Sequence, residues 1–338
     1  MLQRLNLADC FTQPQVAQDP AIRLRERRIM SKALWGFFCF ESLASYVYLQ
    51  QSLLGPPNVA RCFDQDAASD NVDIFGKPFT SASPLPPFVP GILDATCDLS
   101  VALYKVMQWN AKSEDVGDEA DVANRRQFYT DIQGWKQRLP RHLTAEDNFT
   151  PQTCYLHVYA NEVAISILRP MHGKTLFNKA QHLFAGDMLI ACAMADVNMS
   201  KQYIDTFRLV DYSAMLLCGV YNAALIFVAS LDEPRATHGF VRACHMVRQI
   251  ARHMPVARCV LKAIMAMAWS LDFAIPARSL PYFQGLQGVA NGLADIPIAF
   301  AVPSSKALPS TAEGEQEGRL ELTDMGKLLA RWNAIAFD

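Results

Sequence analysis

The stretch YSAMLLCGVYNAALIFVASL, residues 212–231, is a run of twenty residues without a charged side chain. It is long enough to cross a bilayer as a helix. However, Asn222 lies in its middle, Asp211 and Asp232 flank it, and no cluster of lysine or arginine adjoins either end. Membrane helices are commonly bordered by such basic clusters. The run therefore predicts a helix buried at the centre of a helical domain, and not a membrane span.

Helical periodicity extends to both sides of this run. Apolar residues recur at steps of three and four and predict helices over 21–54, 91–111, 122–139, 148–170, 176–203, 206–231, 240–254, 260–275 and 323–334. Sustained period-two alternation and a strand–helix–strand rhythm are both lacking in the sequence. The predicted fold is therefore all-α, a single large multi-helix domain.

Two segments interrupt the periodic pattern. Residues 58–90 carry prolines at positions 78, 84, 86, 87 and 90, which predicts an extended proline-rich connection over the surface. Residues 297–322 are rich in proline, serine, glycine and glutamate, a composition typical of a flexible loop. The expected organisation is a helical domain over 1–296, a loop over 297–322 and a C-terminal helix within 323–338.

Composition and charge exclude several classes of protein. The chain has 338 residues, of which 51% are hydrophobic and 19% charged, enough for a large buried core. Its net charge of −2 gives no electrostatic basis for binding DNA directly. The N-terminal sequence MLQRLNLADCFTQPQ has neither the apolar core nor the cleavage site of a signal peptide, so an intracellular protein is expected.

The cysteines do not form the pattern of a disulfide framework or a zinc site. No two of the nine are close enough for a Cys-x-x-Cys pair, and several lie in apolar runs such as Phe38-Cys39-Phe40 and Leu217-Cys218-Gly219. We expect reduced thiols packed as small apolar groups.

Two short motifs are superficially similar to phosphate and metal sites. Gly173-Lys174-Thr175 is similar to the end of a phosphate-binding loop, but Leu168 occupies the position of the required earlier glycine and no predicted strand precedes it. Four aspartates could suggest a magnesium site, but they lie in the proline-rich segment and predict a solvated acidic loop: Asp64, Asp66, Asp70 and Asp73.

The histidines and the N-terminal basic run also predict no catalytic or metal site. His245 and His253 share a helix with several arginines, which predicts a solvated face, and His157 begins an apolar helix, which predicts a hydrogen-bonded core residue. The basic residues between Arg23 and Arg28 suit a solvated helix start. The sequence also shows no recognisable Ser or Cys nucleophile. We therefore expect no catalytic residues, and the cofactor-binding residues are unknown. Whether the chain is an enzyme stays open, with a non-enzyme favoured.

Four passages of the chain share an order and spacing with one family. They are Glu26-Arg27-Arg28 with Leu34-Trp35-Gly36-Phe37-Phe38; Glu41-Ser42-Leu43-Ala44-Ser45 with Gly55-Pro56-Pro57; Pro151, His157, Tyr159 and Leu168-Arg169-Pro170; and the runs 191–195 and 212–231. Together they resemble the regulatory domain, or middle homology region, of fungal binuclear zinc-cluster transcription factors, over roughly residues 1–280. The chain departs from that family in two ways. The Gly55-Pro56-Pro57 passage lacks the arginine that the family has between its glycine and its prolines, and the zinc cluster with its basic linker is absent.

This resemblance implies a helical domain that controls gene expression in the nucleus by sensing a small molecule or a protein partner. It also implies that zinc would belong only to an N-terminal cluster outside this sequence, and that a homodimer is possible. Residues 35–48 and 188–199, rich in aromatic and sulfur-bearing side chains, either line an effector pocket or form core.

Two other functions remain open from the sequence. The domain could be detached from DNA binding and act as a small-molecule-binding protein or an enzyme in a biosynthetic pathway of secondary metabolism. It could also bind a full-length relative and block it, for which the basic helix over 240–254 offers a surface.

Overall fold

Helices make up nearly all the regular structure in the computed structural model, which describes residues 20–47, 51–63, 88–113, 115–207, 214–270 and 273–286. In chain order they are α1 (Pro20–Val47), α2 (Ile92–Lys112), α3 (Glu119–Arg138), α4 (Pro151–Leu168), α5 (Ala185–Phe207), α6 (Ala214–Val228), α7 (Pro234–Ile250), α8 (Val256–Ser270) and the short α9 (Leu280–Phe283). Short 3-10 turns cover Arg141–Leu143 and Ala277–Ser279, and β1 (Leu176–Asn178) pairs antiparallel with β2 (Leu183–Phe184). The all-α prediction is confirmed.

Helix α4 lies at the centre of the domain because it is apolar on nearly every side. All of its residues except Tyr155 are buried. Its start is fixed by a reciprocal pair of hydrogen bonds, in which the backbone N–H of Thr153 donates to Thr150 Oγ1 and the backbone N–H of Thr150 donates to Thr153 Oγ1. Pro151 follows in the first turn, where its missing N–H costs no helical hydrogen bond.

Helix α6, which forms the centre of the uncharged run, is the second buried helix. Its side chains from Met215 to Val228 are buried except for the partly buried Ile226. With 15 residues, it is about 22 Å long, shorter than the roughly 30 Å hydrocarbon core of a bilayer. Among the described helices, none combines the length and the apolar character needed to span a membrane.

The other helices pack around these two in two connected groups. Helices α5, α6, α7 and α8 share one hydrophobic cluster. A second cluster joins α2, α4 and the C-terminal end of α1, and also reaches the start of α6. Helix α1 contacts the rest of the domain chiefly through α2. The two groups meet where α4 packs against α5 and α6.

Two glycines permit the closest helix packing. A Cβ at Gly219 on α6 would lie 2.8 Å from Val158 Cγ1 of α4. A Cβ at Gly239 on α7 would lie 2.6 Å from the Phe227 ring of α6 and 2.8 Å from Met194 Sδ of α5. Neither distance is available to a real side chain, so these helices approach as they do only because both positions lack one.

A buried ion pair fixes α3 against α2 and α4. Arg125 Nε donates to Asp121 Oδ2 over 2.7 Å, and both side chains are almost completely buried. Arg125 Nη1 also donates to Asn110 Oδ1 of α2 and to the carbonyl oxygen of Ile167, near the end of α4. Burial opposes ionisation of Asp121, but donors from Arg125, the Gly117 N–H and Trp109 outweigh that effect and lower its pKa.

The structure corrects the prediction of a helix from residue 176. Residues 176–184 form the hairpin, and α5 begins only at Ala185. The backbone N–H of Gly186 donates to the carbonyl oxygen of Gly173, and a Cβ at Gly186 would lie 3.2 Å from Gly173 Cα. This close backbone contact turns the chain back on itself, and the hairpin then buries Phe177.

The structure also shortens the first predicted helix, which was expected to reach residue 54. Helix α1 ends at Val47, and residues 51–54 are not helical. The Glu41 carboxylate accepts hydrogen bonds from Ser52 Oγ over 2.5 Å and from the Leu53 N–H over 2.8 Å, which draws the chain back along α1. The predicted loop 297–322, the predicted C-terminal helix in 323–338 and most of the connection 58–90 lie outside the described residues.

Candidate functional site

The main concentration of buried polar side chains in the described core lies where α1, α4, α5 and α6 meet. Glu162 of α4 is completely buried. Its Oε2 accepts hydrogen bonds from Tyr46 OH of α1 and from Asn222 Nδ2 of α6, each over 2.5 Å. One carboxyl group therefore connects three helices.

A second carboxyl group, that of Asp196 on α5, completes the cluster. Asn161 Nδ2 donates to Asp196 Oδ1 over 2.9 Å, and Lys136 Nζ of α3 donates to Asn161 Oδ1 over 2.6 Å. Asp196 is completely buried and Lys136 is half-buried. The amide of Asn161 thus links an ammonium group near the surface to a carboxyl group in the core. We call Tyr46, Asn161, Glu162, Asp196 and Asn222 the polar cluster.

Glu162 and Asp196 are two buried carboxyl groups that interact electrostatically. Glu162 Oε1 and Asp196 Oδ2 have no hydrogen-bond partner among the described residues. Burial, followed by the charge of Glu162, raises the pKa of Asp196 well above its usual value. A neutral Asp196 therefore avoids placing a second charge in the core beside Glu162.

The surroundings favour ionisation of Glu162 over ionisation of Asp196. Burial raises the pKa of Glu162, but Tyr46, Asn222 and the positive charge of Arg169 each oppose that rise. Asp196 has fewer donors, and its pKa is raised further by its neighbour's charge. Gly219 of α6 lies beside the pair, at a position where a Cβ would be 3.7 Å from Glu162 Oε1.

The polar cluster can recognise hydrogen-bonding groups or hold a proton, but it is enclosed. Access to Glu162 and Asp196 requires the packing of α4 against α5 and α6 to open. Within the part of the chain that the structure describes, no group of three or more histidine, cysteine or acidic residues could hold a metal ion.

The structure shows where the predicted motif residues lie. His157 is a core residue, as predicted: its Nε2 lies 3.1 Å from the Leu143 carbonyl oxygen, and burial lowers its pKa. Lys174 is exposed at the turn before β1, and no helix begins there as a phosphate loop would require. His245 and His253 are exposed. The four aspartates at 64, 66, 70 and 73 lie outside the described residues, and the basic side chains from Arg25 to Arg28 are exposed on α1.

The residues suggested as pocket lining contact other core side chains. Trp35 and Phe38 pack with Cys97 of α2, and Met188 packs beneath the hairpin. Met194 packs in the cluster of α5 to α8. Of the aromatic residues that the structure describes in 35–47, Tyr46 is the one that joins the polar cluster.

Sequence reasoning missed Glu162 and Asp196. The signal was a charged residue inside an otherwise apolar helix: Glu162 adjoins Val163 of the apolar stripe in α4, and Asp196 lies in the run from Ala191 to Val197. A carboxyl group at such a position must find a partner in the core, because burial of an isolated charge is costly.

One curated protein gives a significant similarity. Over 189 residues the chain is 18% identical to the nitrogen assimilation transcription factor nirA of Emericella nidulans, a match that covers 55% of this chain and 21% of that protein. The chain thus spans about a fifth of the length of its relative. No family model and no solved structure matches the chain. The similarity relates the chain to a transcription factor.

Proposed function

We propose that this chain is a regulatory domain that controls gene expression. The observation that carries the proposal is the similarity to a transcription factor over 189 residues. The helical fold is consistent with it, because the passages that resemble the middle homology region include segments of α1, α4 and α6, and α4 and α6 are the two central helices. The net charge of −2 suits a domain that acts without contacting DNA itself.

In this proposal the domain senses a small molecule or a protein partner through a change of helix packing. The polar cluster supports this, because its hydrogen bonds from Tyr46 and Asn222 to Glu162 and from Asn161 to Asp196 depend on how α1, α4, α5 and α6 are packed. A ligand that favours another arrangement would shift the population toward it. Helices with two alternative packings are a common basis of switching.

The remaining parts of the proposal concern partners and location. We place the protein in the nucleus, with zinc confined to a separate zinc-cluster segment and DNA contacted by that segment or by a partner protein. The domain could act as a homodimer.

A tethering experiment tests the proposed function. The full chain is fused to a heterologous DNA-binding domain, and expression of a reporter carrying the cognate site is measured. We expect a change of at least several-fold, in either direction, relative to the DNA-binding domain alone. The same fusion carrying Gly36→Ala, at a position where a Cβ would meet nothing within 4 Å, should retain the effect. Unchanged reporter expression from a stably expressed fusion would contradict the proposal.

A second candidate function is small-molecule binding or catalysis in a biosynthetic pathway. The observation that favours it is the interacting pair of buried carboxyl groups, Glu162 and Asp196, since carboxyl pairs of this kind also serve as acid–base groups. Gene deletion separates the two functions. A regulator changes transcript levels, whereas an enzyme leaves them steady while one intermediate accumulates.

A further inference from the structure

Two thiols on different helices lie next to each other. Cys39 of α1 and Cys97 of α2 are 58 residues apart in sequence, and their sulfur atoms are 3.6 Å apart. Both are free thiols. A disulfide needs a sulfur–sulfur distance of about 2.05 Å, so the pair would have to close by about 1.5 Å. Small rotations of the two side chains can supply movements of this size.

The two thiols are unequal in a way that suits oxidation. Cys39 is partly exposed and Cys97 is completely buried. The hydrogen bond between the two thiols is the main cause that lowers the pKa of Cys39 to about 7; burial opposes it, and Ser100 and the charge of Arg61 lower the pKa further. Arg61 is held nearby, its guanidinium 4.4 Å from the centre of the Trp35 ring. Cys39 is therefore the reactive thiol and Cys97 the second thiol within reach.

The structure describes six other cysteines, one of which is the half-buried Cys62. The remaining five differ from Cys39 in their pKa. Burial raises the pKa of Cys154 and Cys192 to about 12, and it also raises the pKa of Cys218, Cys244 and Cys259. Thiols of that kind are inert at neutral pH. The half-buried Cys259 is the natural control, because it lies on α8, away from α1 and α2 in the other group of helices.

We propose that Cys39 and Cys97 form a reversible disulfide when the protein meets a hydroperoxide. The Cys39 thiolate attacks the distal peroxide oxygen and becomes a sulfenic acid, while the peroxide leaves as an alcohol or as water. The Cys97 sulfur then attacks Cys39 Sγ, and the displaced hydroxide takes the Cys97 proton to form water. Two thiols are oxidised by two electrons, and one peroxide is reduced.

The disulfide would fasten α1 to α2. Because α1 contacts the domain chiefly through α2 and supplies Tyr46 to the polar cluster, the bond would restrict any movement of α1 away from Glu162. This inference does not depend on the proposed function, since it rests on the two thiols alone.

Peptide mapping of the full chain tests the proposal. The reduced protein is treated with hydrogen peroxide at about one equivalent, alkylated and digested without reductant. Trypsin leaves Cys62 and Cys97 in one peptide, residues 62–105, so a Cys62→Ser background or a second cut at aspartate is needed to assign the bond. We expect one dominant cross-link, between residues 39 and 97, that dithiothreitol removes.

Variants show whether the two thiols act together. In Cys97→Ala the cross-link should be lost and a sulfenic acid at Cys39 should become trappable by dimedone, whereas Cys259→Ser should behave as wild type. A cross-link that involves another cysteine, or peroxide-treated wild-type protein without a link between 39 and 97, would overturn the proposal. The mapping of wild-type protein decides this even if a variant fails to fold.

Discussion

Asp196 and Glu162 link the folding of the domain to pH, because both carboxyl groups are completely buried and interact. The pKa of Asp196 in the folded protein lies well above the 3.8 expected for an exposed carboxyl group. Between those two values the native state keeps a proton that the unfolded state has lost. The stability contributed by this proton is therefore fully present below about pH 4 and is lost as the pH rises toward the raised pKa.

The variant Asp196→Asn is predicted to remove this loss of stability at high pH. The asparagine can accept from Asn161, as Asp196 does, but it cannot ionise. We expect the free energy of unfolding in urea at pH 8 to exceed the wild-type value by on the order of 1–3 kcal/mol, and the difference to shrink at pH 5. Asp131→Asn, at an exposed position on α3, is the control and should change little. A decline in stability with pH as steep as in wild type would contradict the raised pKa of Asp196.

The sequence predicts that Glu162 lies on a buried helix, but it does not predict that Glu162 interacts with Asp196. The apolar stripe through Tyr159 and Val163 predicts that α4 is buried, because helical periodicity is a local signal. Asp196 lies on another helix, and whether it meets Glu162 depends on how α4 and α5 pack. Pairing of this kind is a tertiary property that single-sequence periodicity does not encode.

Among the helices, two glycines are expected to respond to replacement by alanine with opposite changes in stability. One is Gly239 in α7, and the other is Gly36 in α1. Gly239→Ala would force a Cβ to 2.6 Å from the Phe227 ring, where α6 and α7 are tightly packed. We expect a loss of about 1–3 kcal/mol in the free energy of unfolding from overpacking. At Gly36 in α1 a Cβ meets nothing within 4 Å, so Gly36→Ala should add about 0.5–1 kcal/mol through helix propensity. Thermal unfolding of the two variants checks both signs, and equal effects would contradict the described packing.

The ion pair between Asp121 and Arg125 is predicted to hold three helices together. Arg125→Met leaves the Asp121 carboxylate buried without its cation and removes the donor to Asn110 and Ile167. We expect a loss of about 3–5 kcal/mol in urea unfolding. The double variant Asp121→Asn/Arg125→Met removes the charge as well and should recover part of that loss. A single variant as stable as wild type would show that the pair does not fix α3.

The boundaries of elements were less predictable than their existence. The expected helix over 21–54 ignores Glu41, whose carboxylate binds Ser52 and the Leu53 N–H and so bends the chain after α1. The hairpin at 176–184 depends on backbone contact between Gly173 and Gly186, and three-residue strands are too short to show a period-two pattern. In each case a nonlocal contact outweighs local propensity.

For the whole molecule, fold and function rest on different observations. The uncharged run 212–231 indicates a buried central helix, and burial of α6 confirms it. Function rests on the similarity to a transcription factor over about a fifth of that protein's length, because fold alone does not determine activity. The polar cluster links the fold to the proposed function. Its hydrogen-bonding side chains come from four helices, and a change in the packing of those helices would separate them.

The most direct test of the central claim, that this protein regulates gene expression, is deletion of its gene in the organism that encodes it. Genome-wide transcript levels and the metabolite profile are recorded from the same cultures, with a strain complemented by the wild-type gene as the control. The account predicts that a defined set of transcripts falls or rises together, that the corresponding products change with them, and that complementation restores both. Steady transcripts with accumulation of a single intermediate would contradict it and indicate an enzyme.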